Sequence, residues 1–513
     1  MSASREKKAR QQLHASGYVD PKVVKAEEER KATKRANTLY AIICAAFVLV
    51  AAFTFVWNSG VLQHKATAAT VDGKNYTVEE VGYFYHSAYN QWYQQMGAYA
   101  SYFGLDVNSP LDAQMYDEEA GMTWADYFVE EGMSYMKWVL KAYDEAVANG
   151  VEWTAEDDAL FAADKASMSE YAAANGISYK ELLKYNYGTY ITEATYEKYV
   201  KMETVANRYA QSVNDAFSFD LSAIEEYYSA NKLDFDVADY EMVTVSGTVA
   251  TKDADGNEVE VTDKMKEEAM AAAKATAEVI LAAVQEGIDL ETASENQENA
   301  TYSDRSGTAY SKTDILEWVF DDSRVANDAT VIEGTSDYTV VVFHNRGRQD
   351  YNTVDVRHIL VKVDSSELDK ESETYESDLE ALKAAAKAEA DGILAQWNSG
   401  AKTEESFAAL ADELTDDSGS KGNGGLYTEI AKGDMVTEFN DWIFDETRKA
   451  GDAEVIYAES TGYHVMYFVG ENIAYWQRQV DDTLRSDAYS EWYDGLVADV
   501  TVELGSGVKY VKN

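Results

Sequence analysis

WVFDDSRVANDATVI, running from Trp318 to Ile332, and WIFDETRKAGDAEVI, from Trp442 to Ile456, are two versions of one signature. A helical run precedes each of them, AAAKATAEVIL from Ala271 and AAAKAEADGIL from Ala384. An apolar strand follows each, SDYTVVVF ending at Phe343 and TGYHVMYF ending at Phe468. Shared order and rough spacing mark a duplicated domain rather than one shared motif. Aligned on Tyr338 and Tyr463, the first copy has Thr339 where the second has His464. Upstream, DYEMVTV from Asp239 aligns with DVRHILV from Asp355, which sets Met242 opposite His358. Chemistry is therefore expected in the second copy and not in the first.

The chain has 513 residues, too many for one core, and its length suggests three or four domains. Leu39 to Trp57, LYAIICAAFVLVAAFTFVW, carries no charge. At ~1.5 Å per residue it is about long enough to cross a ~30 Å hydrocarbon layer. A long preceding segment and the lack of a small-x-small site close behind favour a retained signal anchor over a cleaved signal peptide. Residues 1–38 hold 10 Lys/Arg and 5 Asp/Glu, with Arg30, Lys31, Lys34 and Arg35 crowded against the apolar run. The expected orientation is thus a single-pass bacterial membrane protein with its N-terminus cytoplasmic.

Subtracting the tail from the chain's 44 basic and 92 acidic residues leaves 34 and 87 on the far side, a net charge of −53. Such a surface repels nucleic acid and anionic membranes. The only cysteine, Cys44, lies inside the apolar run, and most of that run follows it. Lipidation is not expected there, and the external part can form no internal disulfide.

Beyond the anchor, ATVDGKNYT from Ala69 reads as a strand pair around an Asp-Gly turn. Helical periodicity then dominates from Val78 to about Ser229, with Gly150, Gly176 and Gly188 where helices should stop. The many tyrosines of this block are expected mainly in its core, with a surface for apolar peptide segments as the sharper reading. In KDADGNEVEVTD the glutamate of a calcium loop is missing from its place, so calcium is not expected. The acidic insert DSSELDKESETYESDLE should extend an exposed helix. The C-terminal stretch from Ala474 is amphipathic and then strand-like, and is expected to dock on the N-terminal helical block, since one such helix cannot bury its face alone.

The second repeat resembles a parvulin-type peptidyl-prolyl isomerase domain. RHILVK at Arg357 resembles that family's opening strand, and FAALADELTDDSGSKGNGG from Phe407 resembles FxxLAxxxSxDxxSxxxGG. GDMVTEFNDWIF from Gly433 resembles GxMVPEFExAxF, and GYHVMYF from Gly462 resembles the closing strand GYHIIKV. The external region as a whole resembles SurA-like and PrsA-like secretion foldases. The resemblance implies an α+β fold, with a four-stranded antiparallel sheet and packed helices in each repeat, the first repeat being degenerate. The organisation expected is a cytoplasmic tail (1–38), an anchor (39–57), a helical chaperone-like domain (66–232), a degenerate repeat (233–346), an isomerase domain (354–472) and a C-terminal helix and strand (473–513).

Carried over by position, the resemblance implies a catalytic set of His358, Asp417, His464 and Thr461, with Met435 and Phe439 cupping the proline ring. It implies neither cofactor nor metal. The partners would be unfolded or newly exported polypeptides containing X–Pro bonds, and the membrane through the anchor. Three departures stand out. Glu459 occupies a usual threonine position and is expected to bring a carboxylate into the histidine network; LYTEI replaces DLGxF after Gly425; Thr437 replaces a common proline. No GxSxG elbow or phosphate loop is present in the sequence. Two functions remain, a prolyl isomerase acting on exported proteins and a non-catalytic holdase using both repeats as binding arms.

Overall fold

The computed structural model describes residues 3–17, 21–58, 60–252 and 256–512. Residues 253–255, in the middle of KDADGNEVEVTD, lie outside the described residues. The chain divides into two compact units, one of residues 1–216 with 488–513 and one of residues 217–487.

In the first unit a helix spans Pro21–Asn58, and it contains the one segment among the described residues that is long and apolar enough to cross a membrane. Four helices follow whose starts are written locally in Ser/Thr-x-x-Glu/Asp. Val78–Met96, Trp124–Ala148, Ala155–Ala174 and Tyr179–Tyr187 open on capping boxes made by Thr77 with Glu80, Thr123 with Asp126, Thr154 with Asp157 and Ser178 with Glu181. Each box satisfies two of the four backbone N–H groups that a helix start leaves without partners. A fifth helix, Glu193–Ala216, packs on Trp124–Ala148.

The core of this unit is aromatic, with Trp124, Phe84, Phe128 and Tyr199 fully buried. The strands Thr67–Val71 and Lys74–Thr77 form the expected hairpin, and Val502–Leu504 pairs antiparallel with the first of them. Tyr489, Trp492 and Tyr493 of the C-terminal helix pack on the same core. Residues 488–513 thus belong to the helical unit. The start of the C-terminal helix, with Trp476 and Val480 buried against Ile224, Tyr228 and Phe235, belongs to the second unit, so only part of the stretch from Ala474 docks as expected. The tyrosines are divided: Tyr83, Tyr85 and Tyr199 are buried, whereas Tyr102 and Tyr185 are each 86% exposed.

The second unit holds both repeats, each with a four-stranded antiparallel sheet. In the first the order is Ala300–Ala309, Val237–Ser246, Asp337–Gly347, Ala329–Glu333. In the second the elements are β1 (Asn352–Lys362), α1 (Tyr375–Ser399), α2 (Glu404–Leu414), β2 (Leu426–Ile430), α3 (Thr437–Ile443), β3 (Ala453–Ala458) and β4 (Gly462–Ala474), and the sheet order is β2-β1-β4-β3. Strand alternation gives this sheet two apolar faces. Ile359, Val361 and Val465 meet α1 and α2 through Ala390, Ile393, Trp397 and Phe407. Val356, Met466 and Phe468 meet α3 through Phe439, Trp442 and Ile443. The acidic insert is only partly helical, since α1 begins at Tyr375 and residues 364–374 form turns stitched by Asp364, Asp369 and Ser372 side chains. Short polar side chains that bond the backbone two residues on compete with helix there.

The signature that reveals the duplication proves to be a turn. In both copies the helix ends on a phenylalanine, and Asp321 or Asp445 then accepts the backbone N–H two residues on. The arginine folds back over the tryptophan, Arg324 over Trp318 at 4.8 Å and Arg448 over Trp442 at 3.9 Å. Asn327 and Gly451 have positive φ and give their N–H to the carbonyls of Phe343 and Phe468. Asp328 and Asp452 then accept the amides of those same phenylalanines. The repeated aspartates, arginines and tryptophans thus build the turn that returns the chain into the sheet, so these positions record architecture.

The segment joining the repeats is anchored. Arg348 lies 3.7 Å over the Trp476 ring and bonds Glu225 at 3.0 Å, beside a small core of Ile224, Tyr228, Phe235 and Val480.

Candidate functional site

Register places the two histidines. Across β1 and β4, Met466 stands opposite His358 and His464 opposite Leu360, so the imidazoles lie on one face as diagonal neighbours. Diagonal pairs are within reach of long or cyclic side chains. His358 and His464 meet at 3.0 Å between their Nδ1 atoms, and both residues are buried. In the first repeat Val341 stands opposite Met242 and Thr339 opposite Thr244, which is the same diagonal. It holds a thioether and a hydroxyl, and Thr339 bonds Thr244 at 3.3 Å instead.

Beyond the pair, His358 Nε2 lies 3.0 Å from Asp417 Oδ2, and His464 Nε2 lies 2.7 Å from Thr461 Oγ1. Asp417 sits in the loop between α2 and β2. That loop is drawn tightly against β1: the amide of His358 bonds the carbonyl of Gly425, and the amide of Leu360 bonds the Thr415 hydroxyl. A Cβ on Gly425 would stand 2.2 Å from the His358 carbonyl oxygen, at a φ of +69, so only glycine allows this approach.

Burial pushes the Asp417 carboxyl up, but hydrogen bonds from Ser420, the Gly419 amide, Tyr427 and His358 outweigh it and hold the group well below the usual carboxylate range. Asp417 is therefore an anion with acceptors only. Burial lowers the His464 imidazole to about 4, with His358 adding to the effect and the Asp417 charge opposing it. Burial likewise lowers His358, against the hydrogen bond and charge of Asp417. With both rings neutral at pH 7, proton accounting leaves one arrangement. His358 donates from Nε2 to Asp417 and accepts at Nδ1, His464 donates to it from Nδ1, and Thr461 donates its hydroxyl to His464 Nε2. The result is a one-way chain of hydrogen bonds ending on a carboxylate.

The sign of the pH response follows. His464 ionises near 6.5 when unfolded and near 4 when folded. Between those values the unfolded chain binds the extra proton, so stability is complete above pH 6.5 and falls as pH drops toward 4. The loss expected from this group is roughly 3 kcal/mol. Denaturant titrations of the full chain at pH 7 and pH 4.5, with and without His464→Leu, should show the acid sensitivity shrinking in the variant.

Phe439 is buried on α3, with its ring edge-on to both imidazoles at 5.4 and 5.6 Å. Met435 is partly buried against the same cluster. Thr437 takes the first position of α3, where the backbone N–H has no helical partner and proline is dispensable. Glu459 does not join the network, contrary to the expectation from its position. Its side chain is 72% exposed and bonds Lys383 at 3.3 Å and the Tyr457 hydroxyl at 2.8 Å. A carboxylate stays in water when a surface lysine and a phenol can reach it there. Glu459→Thr is accordingly expected to change isomerase turnover less than twofold, measured on the full chain.

Two contributors escaped the sequence reading. Ser420 and Tyr427 both donate to Asp417 Oδ2, Tyr427 at 2.9 Å, and the Tyr427 ring lies 5.4 Å from His358. The serine of the FxxLAxxxSxDxxSxxxGG pattern was the available signal for Ser420. Tyr427 had none, because it belongs to the altered stretch LYTEI.

Residues 340–471 match the family model described as the PPIC-type PPIASE domain. The second repeat is thus a parvulin-type peptidyl-prolyl isomerase domain, and the chain carries it beside a degenerate copy of the same sheet. Among solved structures the chain is similar to the peptidylprolyl isomerase PrsA from Bacillus anthracis, at 20% identity, covering 32% of this chain and 61% of that one, with a TM-score of 0.18. It is similar to PrsA from Bacillus cereus at 16% identity, covering 63% and 93%, TM-score 0.19. It is similar to PrsA from Bacillus subtilis at 14% identity, covering 76% and 87%, TM-score 0.26. A search of curated proteins gave no match.

Proposed function

We propose that the chain is a membrane-anchored foldase that isomerises X–Pro bonds of exported polypeptides at the second repeat and holds those clients on its helical unit. In this reading residues 1–38 are cytoplasmic, 39–57 span the membrane, 66–232 with 473–513 form the holding part, 233–346 are the inactive repeat and 354–472 the active one. The observation that carries it is the unbroken chain from Thr461 through His464 and His358 to Asp417, lying against Phe439.

Rotation about an X–Pro bond must cross a barrier of roughly 18–20 kcal/mol, set by amide conjugation. Conjugation places partial negative charge on the carbonyl oxygen and double-bond character in C–N. A fixed carboxylate beside that oxygen disfavours the conjugated form and so favours the twisted one. Asp417 supplies the charge, and the histidine pair orients it. Met435 and Phe439 give the proline ring an apolar seat. No covalent intermediate is required, and no proton leaves the network.

Exposed aromatic side chains such as Tyr102 and Tyr185 support client holding by the helical unit, since amphipathic rings bind apolar segments at little entropic cost. The test is a refolding-coupled isomerase assay paired with an aggregation-suppression assay on the full chain. His464→Leu should abolish most isomerase activity and leave aggregation suppression intact. Loss of both in a folded variant would remove the division of labour, and unchanged isomerase activity would remove the assigned site.

A further inference from the structure

The helical unit contains a cavity of about 600 Å³ whose charge runs against that of the rest of the external chain. Five ammonium groups line it, Lys74, Lys137, Lys141, Lys198 and Lys201, against the carboxylates of Asp72 and Asp144. Over the whole of this side of the apolar run, cavity included, acidic residues outnumber basic ones by 87 to 34. The arrangement comes from helical spacing. Lys137, Leu140 and Lys141 share one face of Trp124–Ala148 at i, i+3 and i+4, and Lys198, Lys201 and Met202 do the same on Glu193–Ala216. Lys74 arrives from the hairpin strand. Between the lysines the lining is apolar, with Tyr76, Leu140, Tyr143 and Met202.

Three of the lysines have carboxylate partners: Lys141 with Asp72 at 2.7 Å, Lys198 with Glu80 at 2.7 Å, and Lys201 with Glu197 at 2.9 Å and Asp158 at 4.0 Å. Lys74 and Lys137 have no ion pair among the described residues. A volume of this size falls in the ~300–1,000 Å³ range of ligand clefts. An apolar floor under a cationic rim matches a ligand with an apolar or aromatic side chain flanked by carboxylates.

We infer that this cavity captures acidic–apolar segments of client polypeptides, an assignment that rests on the foldase reading above and names a class of client for it. A chain with so negative an exterior repels acidic segments at long range, whereas charges are screened beyond a Debye length of about 8–10 Å. Inside that distance Lys74 and Lys137, the two lining lysines without an ion pair among the described residues, supply the attraction. The cavity therefore lets an acidic protein hold acidic clients without attracting nucleic acid or anionic lipid to its whole surface.

The test uses the full chain in detergent and three fluorescent peptides of equal length. One has tyrosine and leucine flanked by aspartates, one has lysines in place of the aspartates, and one has serines. The aspartate peptide should bind at least tenfold tighter than the lysine peptide, and raising salt from about 50 to 500 mM should erase most of that preference. Lys137→Glu with Lys201→Glu should abolish it, and the milder Lys74→Glu on the exposed hairpin should reduce it several-fold, with serine-peptide binding and isomerase activity unchanged. An aspartate preference that survives in both folded variants overturns the cavity assignment. Binding of a free aromatic carboxylate at the cavity without binding of the aspartate peptide overturns the peptide as occupant. Failure to bind any of the three peptides, or to suppress client aggregation, would instead count against the holding function itself.

Discussion

Asp417→Asn in the full chain is expected to lower X–Pro isomerisation about 10- to 100-fold while leaving the fold intact, a loss of roughly 1.4–2.7 kcal/mol in transition-state stabilisation. The asparagine nearly matches the aspartate in shape. It fails in two ways that the carboxylate does not. Ser420, Tyr427 and His358 all point donors at Oδ2, and an amide can place an oxygen there only by turning its own NH2 toward the Gly419 amide, which also donates. The negative charge proposed to lie beside the substrate carbonyl is lost as well, and with it the bias against amide conjugation. The effect should fall on kcat with KM little changed, because the charge acts on the twisting amide more than on the ground-state peptide. Protease-coupled or refolding-coupled kinetics would read it, and a folded variant with full activity would remove Asp417 from the mechanism.

Phe439→Ala is the second large effect, and it reaches further than activity. The ring is buried among Val354, Val356, Ile430, Trp442, Met466 and Phe468 and stands edge-on to both imidazoles. Truncating a buried phenylalanine removes its transfer free energy and leaves a cavity, at about 3–5 kcal/mol. Isomerase turnover should drop with stability, since the proposed proline seat and the packing that holds the histidine rings are one side chain. Phe439→Leu keeps most of the volume, so it should recover most of the stability and only part of the turnover. Urea titrations monitored on the second unit, alongside the same kinetic assay, separate the two losses. Equal recovery of both would make Phe439 a packing residue alone.

Much of this was legible in the order of residues. The duplication, the degenerate status of the first copy and the set His358, Asp417, His464 and Thr461 rest on short strands and loops whose local pattern is strong. Strand alternation puts every second residue on one face, so once Met242 and His358 are aligned their shared face follows, and the register confirms the same diagonal in both sheets. Helix starts were equally local, written in four capping boxes.

What the order of residues did not contain were distances between segments remote in sequence. Glu459 shows this most clearly: its neighbours along the chain suggested the histidine network, but Lys383, some 76 residues away, captures it on the surface. Tyr427 entered the site from a stretch that departs from the family pattern, because a loop closed onto β1 brings its hydroxyl to Asp417. The lysine cavity needed the hairpin and two helices to meet, and no single segment carries more than two of its five ammonium groups. Periodicity and local hydrogen bonding are properties of neighbouring residues and determined the elements, the repeat and the histidine face. Charge pairing, ring contacts and cavities are properties of segments brought together, and only packing decided which partner each polar group would find.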